Sequence, residues 1–412
     1  MHRQEERNMA KESKGYVFRI YPTDEQKRYI NQCIAAKRWW WNYVLGKINQ
    51  IYEETKKHTF AIDFDKELPI LKKQPETSWL KKVDSTLFHY AEVSMDDSFD
   101  RFFKKQGGKP EFKPKTYDGS YTSHIFNAEE DSCVDFEHGY IKLRKAGNVK
   151  TVFHRKIKGT PKFFHISKKS FDWYEVSIQT STQKETVPMM PVTYEGTVGI
   201  DLGVKQDSNA ILSDGKKFQC VDTSRLEVRK KRLQKKLARQ QGKVKTGEKV
   251  FSKRYNKEVD KTVPSKNYIK TKDKIAKICN KIQRIRKYNT NQITAYVANN
   301  NDINTVCMEN LNLKGMVKNH NLANRVTNAN MGELKTQLQY KLADRGKHFV
   351  QVDRFFASSQ TCSCCGYVNK DVKNLNVRSW ICPNCHTKHD RDVNAAINIK
   401  NEGYRILTEG KL

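Results

Sequence analysis

Two Cys-x-x-Cys pairs, Cys362 with Cys365 and Cys382 with Cys385, stand 16 residues apart near the C-terminal end of this chain. Each pair sets two thiolates on one tight turn, and two such turns at this spacing can enclose one tetrahedral zinc ion. That constraint predicts a zinc ribbon over residues 358–388. Cys364 sits inside the first pair at the wrong offset for its knuckle and is expected to be a spectator. Cys33, Cys133, Cys220, Cys279 and Cys307 are scattered singly, so the ten cysteines read as reduced thiols plus one metal site rather than a disulfide framework. Seven residues after Cys385 comes Asp392, in the string HDRDVNAAINIK, so the ribbon runs directly into an acidic helix start.

Lys and Arg number 77 against 46 Asp and Glu, a formal net charge of +31. An excess of that size finds no partners inside the protein and attracts a polyanion, for which nucleic acid is the default. A membrane surface is the competing sink. No stretch has the apolar length that spans a bilayer and no signal peptide opens the chain, which points to the cytoplasm. The excess is also concentrated: residues 225–245 hold ten Lys or Arg and one Glu. A solvated face seldom carries a roughly tenfold bias of one sign, so Arg229, Lys230, Arg232 and Lys236 are candidate nucleic-acid contacts.

Residues 1–14 are polar and expected to be disordered. GYVFRIY, 15–21, alternates as a strand, and Thr23 and Gln26 have capping-box spacing for the helix that follows. Ile30, Cys33, Ile34, Val44, Ile48 and Ile51 fall mostly on one face of it. Trp39, Trp40 and Trp41 are consecutive, so at least one must leave that face for a second helix or a ligand; packing is the plainer reading. A second helical stretch is expected from about Ser78 to Lys105, ended by Gly107 and Gly108. From Phe112 to about Ser181 apolar and polar residues alternate between Gly, Asn and Asp turns, which predicts antiparallel strands forming a small barrel. The strand at 15–22, a helical insertion at 23–106 and the strands of 107–185 make one lobe. Lys and Arg beside Tyr and Phe on its strands suit phosphates and stacked bases, although a solvated sheet face is the plainer alternative.

A polar linker, 186–195, leads to a second lobe of αβ pattern. TVGIDLGV is a strand with Asp201 near its end, and DSNAILSDG is its hairpin partner. Ser224 and Glu227 have capping-box spacing at the start of the basic helix. Ile275, Ile278, Ile282, Ile285, Ile293 and Val297 stripe a second helix over about 268–300, and the polar stretch 242–266 is expected to be the loop between the two. This helical hairpin occupies 222–300. NTVCMENL ends a strand at Glu309, a helix is expected over about 325–345, KHFVQVD is a further strand, and NAAINIKNEGYRIL closes the chain as a helix. Asp201, Glu309 and Asp392 thus stand at strand ends or a helix start, where side chains of an open sheet converge on one rim. Three carboxylates there can clamp two divalent cations roughly 4 Å apart for phosphodiester hydrolysis. Hard oxygen ligands suit magnesium or manganese. Each acid also has a plainer role: turn residue, strand-closing surface acid, helix cap.

These strings resemble the TnpB family of transposon-encoded, RNA-guided DNA nucleases, relatives of the compact type V CRISPR effectors. FRIYPTDEQ at 18–26 is similar to the family's opening strand and first helix, and GKPEFKPK at 108–115 to the segment that returns the chain to the β-barrel (wedge) domain. GIDLGV, MENL and the Asp-x-Asn-Ala-Ala string match the family's three RuvC acids at Asp201, Glu309 and Asp392, the last pattern selecting Asp392 over Asp390. SSQTCSCCG and CPNCHTKHD match its ribbon. The resemblance implies an α+β multidomain protein: a wedge barrel with a helical recognition insertion, then an RNase H-like RuvC domain over 196–357 and 389–412, interrupted by the helical hairpin and the ribbon. It implies an RNA-guided DNA endonuclease with one structural zinc and two catalytic magnesium or manganese ions, an ωRNA guide, double-stranded target DNA, and one protein on one RNA. Base pairing would read the target while the protein reads a short adjacent motif. Ser120, Tyr121 and Thr122, where the chain enters the wedge, are the candidates for reading it. A CRISPR effector, a nuclease-inactive RNA-guided regulator and a basic RNA-binding scaffold are the alternatives, and the last explains the charge and the ribbon but not the three acids.

Overall fold

The computed structural model describes residues 11–114, 119–125, 133–170, 172–183, 187–203, 209–219, 221–240, 243–252, 257–374 and 376–410. The chain divides into two compact units, Met1–Glu185 and Thr186–Leu412, and each has its own apolar core.

In the first unit, strand β1 (Lys11–Tyr21) pairs with β7 (Trp173–Gln183) almost end to end. Residues 11–14, expected to be disordered, are the start of this strand, Lys11 to Lys14 facing Gln183 to Thr180. Residues 1–10 lie outside the described residues. Helix α1 (Asp24–Thr55) opens on the expected capping box, with the Gln26 amide donating to Thr23 Oγ1 at 3.3 Å and the Thr23 amide to Gln26 Oε1 at 3.0 Å. The tryptophans serve packing. Trp40 and Trp41 are buried and donate to Glu92 Oε1 at 2.7 Å and to the Glu111 carbonyl at 3.0 Å, while Trp39 meets Trp79 edge-on.

The one helix expected over about 78–105 is two elements, a tight 3-10 segment Pro75–Lys82 and α2 (Thr86–Phe103). Buried Asp84 makes the break: its Oδ1 accepts from the amide and the hydroxyl of Thr86, both at 3.0 Å. A short acid bonding to nearby backbone competes with helix continuation, which apolar periodicity does not register. Strands β2 (Gly119–His124), β3 (Val134–Asp135), β4 (Tyr140–Leu143), β5 (Gly147–Val152) and β6 (Thr160–Ser170) complete a seven-stranded antiparallel sheet in the order β2-β6-β7-β1-β5-β4-β3. It curls as a half-barrel, and among the described residues its end strands β2 and β3 do not pair. Tyr121 on β2 is only 1% exposed, packed in the core with Phe18, Phe88 and Phe164. That corrects its candidacy as a motif-reading residue, because a ring enclosed by core side chains has no face to offer a base.

The second unit rests on a five-stranded mixed sheet in the order β10-β9-β8-β13-β14. Strands β8 (Thr197–Leu202), β9 (Ala210–Leu212) and β10 (Lys217–Phe218) form an antiparallel meander, and β13 (Thr305–Glu309) and β14 (His348–Val352) add in parallel. Residues Thr197 to Ile200 and Thr305 to Met308 are buried without alternation, as strands covered on both faces must be. Between the meander and β13 stand α3 (Ser224–Arg239) and α4 (Lys266–Asn299). The stretch between them, expected as a loop, is a two-stranded ribbon of β11 (Lys243–Ser252) and β12 (Lys257–Pro264). Val244 and Val259 each stand between polar neighbours, a strand signal that the polar composition hides. The Ser224–Glu227 capping box does not form. Asp222 takes the Ser224 amide at 2.7 Å, and Glu227 instead reaches Arg286 of α4 at 3.2 Å.

After β13 come α5 (Leu313–Lys318), α6 (His320–Ala329) and α7 (Met331–Ala343). The last two replace the one helix expected at 325–345, because Asn330 between them is left-handed (φ 53°), a conformation asparagine tolerates better than most residues. A small hairpin, β15 (Ser379–Ile381) and β16 (Lys388–Asp390), precedes the closing helix α8 (Arg391–Thr408). Helix α8 lies so close to the sheet that a Cβ on Gly199 of β8 would strike the Ala396 carbonyl and the Lys400 amide. Among the described residues no helix is long and apolar enough to cross a membrane.

Candidate metal centres

Parallel pairing of β8 with β13 sets Ile200 opposite Met308, so Asp201 and Glu309 follow side by side at the same end of the sheet. Asp392 enters from the first turn of α8. The carboxylates act on one another: burial first, then the charges of Glu309 and Asp392, push Asp201 up to about 7, against the pull of Arg391 and the Leu202 amide. Burial raises Glu309 as well, while the Ser358 hydroxyl, which donates to Glu309 Oε1, holds it back. All three acids are half-buried. A divalent cation beside Asp201 and Glu309, both raised, would relieve them and favour their charged forms.

The neighbouring acid is committed elsewhere. Asp390 caps α8, its Oδ1 accepting from the amides of Asp392 and Val393 at 3.0 and 3.1 Å, and its Oδ2 pairs with Lys217 at 2.9 Å. The helix-cap role that was the plain alternative for Asp392 therefore belongs to Asp390. Asp392 has Arg378 at 3.9 Å, and its charge acts on Asp201.

The sulfurs of Cys362, Cys365, Cys382 and Cys385 all lie within 4.8 Å of one another, with Cys362 to Cys385 at 3.5 Å and Cys365 to Cys382 at 3.6 Å. A tetrahedral ion with bonds of about 2.3 Å to sulfur needs sulfur separations of roughly 3.8 Å, so the donors fit such an ion. The two knuckles are built alike. The Cys362 amide donates to the Tyr367 carbonyl at 2.8 Å and the Cys382 amide to the Thr387 carbonyl at 2.9 Å. Gly366 (φ 77°) and His386 (φ 59°) turn left-handed at matching places. Burial pushes the Cys362 thiol up to about 12, whereas the side chain and backbone of Thr387 pull Cys385 down to about 5. A dication at their centre would hold all four as thiolates. Cys364 is exposed and outside the cluster.

Several residues that the sequence did not single out tie the two centres together. Asn394 and Asn398, one turn apart on α8, donate to the Thr361 carbonyl at 2.7 and 2.6 Å, and Asn398 also to the Ser358 carbonyl at 2.8 Å. The Ser363 amide returns a bond to Asn394 Oδ1 at 2.9 Å. His389, its ring tilted against Trp380, has Nε2 at 3.1 Å from Cys362 Sγ. The available signal was two asparagines four apart on an apolar helix, where a buried amide must find partners.

Of the candidate nucleic-acid contacts, Arg229, Arg232 and Lys236 are exposed on α3, and Lys230 is half-buried in an ion pair with Glu227. Ser120 and Thr122 are half-buried, and Thr122 Oγ1 lies 2.9 Å from His165 Nδ1.

A family model described as Cas12f1-like, TNB domain matches residues 332–399, from α7 through the cysteine cluster to Asp392 and beyond. A helix-turn-helix domain model of the IS605 OrfB type matches residues 9–57, which here are β1 and α1. A Streptomyces pristinaespiralis protein provisionally named an RNA-guided DNA endonuclease is 28% identical over 398 residues, covering 95% of this chain and 89% of that protein. InsQ of Escherichia coli K12, provisionally named likewise, is 26% identical over 418 residues, covering 98% and 95%. A Cas12f1 protein solved with sgRNA and target DNA has the same fold, with a TM-score of 0.52 at 16% identity over 92% of this chain and 83% of that one. Family models thus match the chain near both ends, and these relatives match it along almost its whole length, as the resemblance of its motifs to the TnpB family leads one to expect.

Proposed function

We propose that this protein is an RNA-guided, metal-dependent DNA endonuclease of a transposon. The observation that supports the reading is that Asp201 and Glu309, remote along the chain, stand side by side at one end of one sheet, with the charge of Asp392 acting on Asp201. In this reading the three acids hold two magnesium or manganese ions. Bound there, the ions supply an activated water and a counter-charge for the leaving oxygen of the scissile phosphodiester. Ser358 fixes the carboxylate of Glu309, and α8 carries Asp392 to its place. Cys362, Cys365, Cys382 and Cys385 hold one structural zinc, which fixes the segment that Asn394 and Asn398 grip. The charge of +31 meets an ωRNA guide and double-stranded target DNA. The first unit serves as wedge, with 23–106 as the helical recognition insertion, and Arg229, Arg232 and Lys236 meet phosphates. The protein acts in the cytoplasm as a monomer on one RNA.

The test begins by sequencing the RNA that copurifies with the protein and programming it with a known target. Asp201→Ala is expected to abolish magnesium-dependent cleavage while guide-directed binding stays within about twofold, since each phosphate contact belongs to the basic surfaces and not to the acids. Binding lost in step with cutting would overturn this division of labour.

A further inference from the structure

The loop that joins β14 to the cysteine ribbon is fastened at both ends to one acid. Val352 stands in register with Glu309, and Ser358 donates its hydroxyl to Glu309. Phe355 lies midway, three residues from each anchor, so its Cα cannot be more than about 11 Å from either. The loop is held rigidly. Asp353 Oδ1 accepts from the Phe355 amide at 2.8 Å, Arg354 Nε donates to the Asn310 carbonyl at 3.3 Å, and Phe356 packs into the core beneath. Yet the Phe355 side chain is 87% exposed, far above the next large apolar residue, Ile70 at 61%, and no aromatic ring partners it among the described residues. A well-braced turn that presents a phenyl ring to water beside a carboxylate cluster fits an occupant with a π-face. Unpaired bases stack on such rings whatever their sequence.

We propose that Phe355 is a stacking platform for an unpaired base of the DNA strand held at Asp201, Glu309 and Asp392, and so positions that strand for cleavage. The proposal rests on the nuclease reading above. The strand is the occupant because the neighbouring acids act on phosphodiesters and the loop's exposed cation, Arg354, suits its backbone.

The test uses full-length, guide-loaded protein and target DNA carrying 2-aminopurine at successive positions around the cut. In the Asp201→Ala background, quenching at one position is expected with Phe355, to be lost in Phe355→Ala and kept in Phe355→Trp. In active protein, Phe355→Ala should slow cleavage about tenfold, with Phe355→Trp within about threefold of the parent. Unchanged zinc content and unchanged guide-directed binding show that the variants fold. Failure of the parent protein to cut sinks the nuclease reading. A parent that cuts, with Phe355→Ala equally fast or with no position-specific quenching, sinks the platform, as does a defect that tryptophan fails to rescue.

Discussion

Burial raises Glu309 and Ser358 opposes the rise, because a hydroxyl donated to a carboxylate favours its charged form. Ser358→Ala removes that donor and is expected to raise Glu309 further, so the acid limb of the cleavage rate moves to higher pH. About tenfold more magnesium should be needed at neutral pH, in line with the roughly 1.5–3 kcal/mol of a bond to a charged group. Magnesium titrations of the cleavage rate at several pH values check this, and Ser358→Thr should restore the parent profile. In the first unit Glu92 is buried against Trp40, with Oε2 lacking a hydrogen bond among the described residues and His89 Nδ1 at 4.0 Å. Burial is the main cause that pushes it up to about 8, with Asp65 and Asp96 adding and Trp40 opposing. The folded state therefore keeps a proton that the unfolded chain releases near its ordinary value of 4.5. Stability from this group is full below that value and is lost as pH rises through about 8. Glu92→Gln stays neutral and keeps an acceptor for Trp40, so its melting point should match the parent at pH 5 and exceed it at pH 9, read by tryptophan fluorescence. The sequence displayed the acids of the site as motif residues. It did not display Ser358 or Glu92, whose roles come from a partner 49 or 52 positions away.

The cysteine ribbon was the most legible element, since knuckle spacing is local and the metal geometry is fixed. Cys382→Ser is expected to lose the zinc in elemental analysis and to loosen the segment that Asn394 and Asn398 hold. The residue after the second cysteine is left-handed in both knuckles, Gly366 in the first and His386 in the second. A non-glycine residue there is strained by about 1 kcal/mol, so His386→Gly should keep its zinc against chelator as well as or better than the parent, and Gly366→Ala should release it sooner. Where elements were misread, the reason was a single polar side chain or a polar disguise. Asp84 broke one expected helix and Asn330 another, and the β11–β12 ribbon hid its strand signal among polar residues.

At the scale of the whole molecule, the second unit has apolar cores of its own among the described residues, so residues 187–412 are expected to fold alone. That fragment should bind one zinc and melt cooperatively in calorimetry; aggregation without a transition would contradict the division. What the sequence settled by itself was whatever is local or additive. Its charge names a polyanionic partner, its cysteine spacing names a tetrahedral site, and its alternating and helical periods name most elements, because each depends only on neighbours along the chain or on a sum over it. What only the tertiary structure decided was adjacency. Parallel register brought residue 309 beside 201, a glycine at 199 let α8 lie close against the sheet, and Asp390 took the cap that left Asp392 free for the other two acids. The first two of those arrangements depend on contacts between positions a hundred or more residues apart, and no local pattern encodes them.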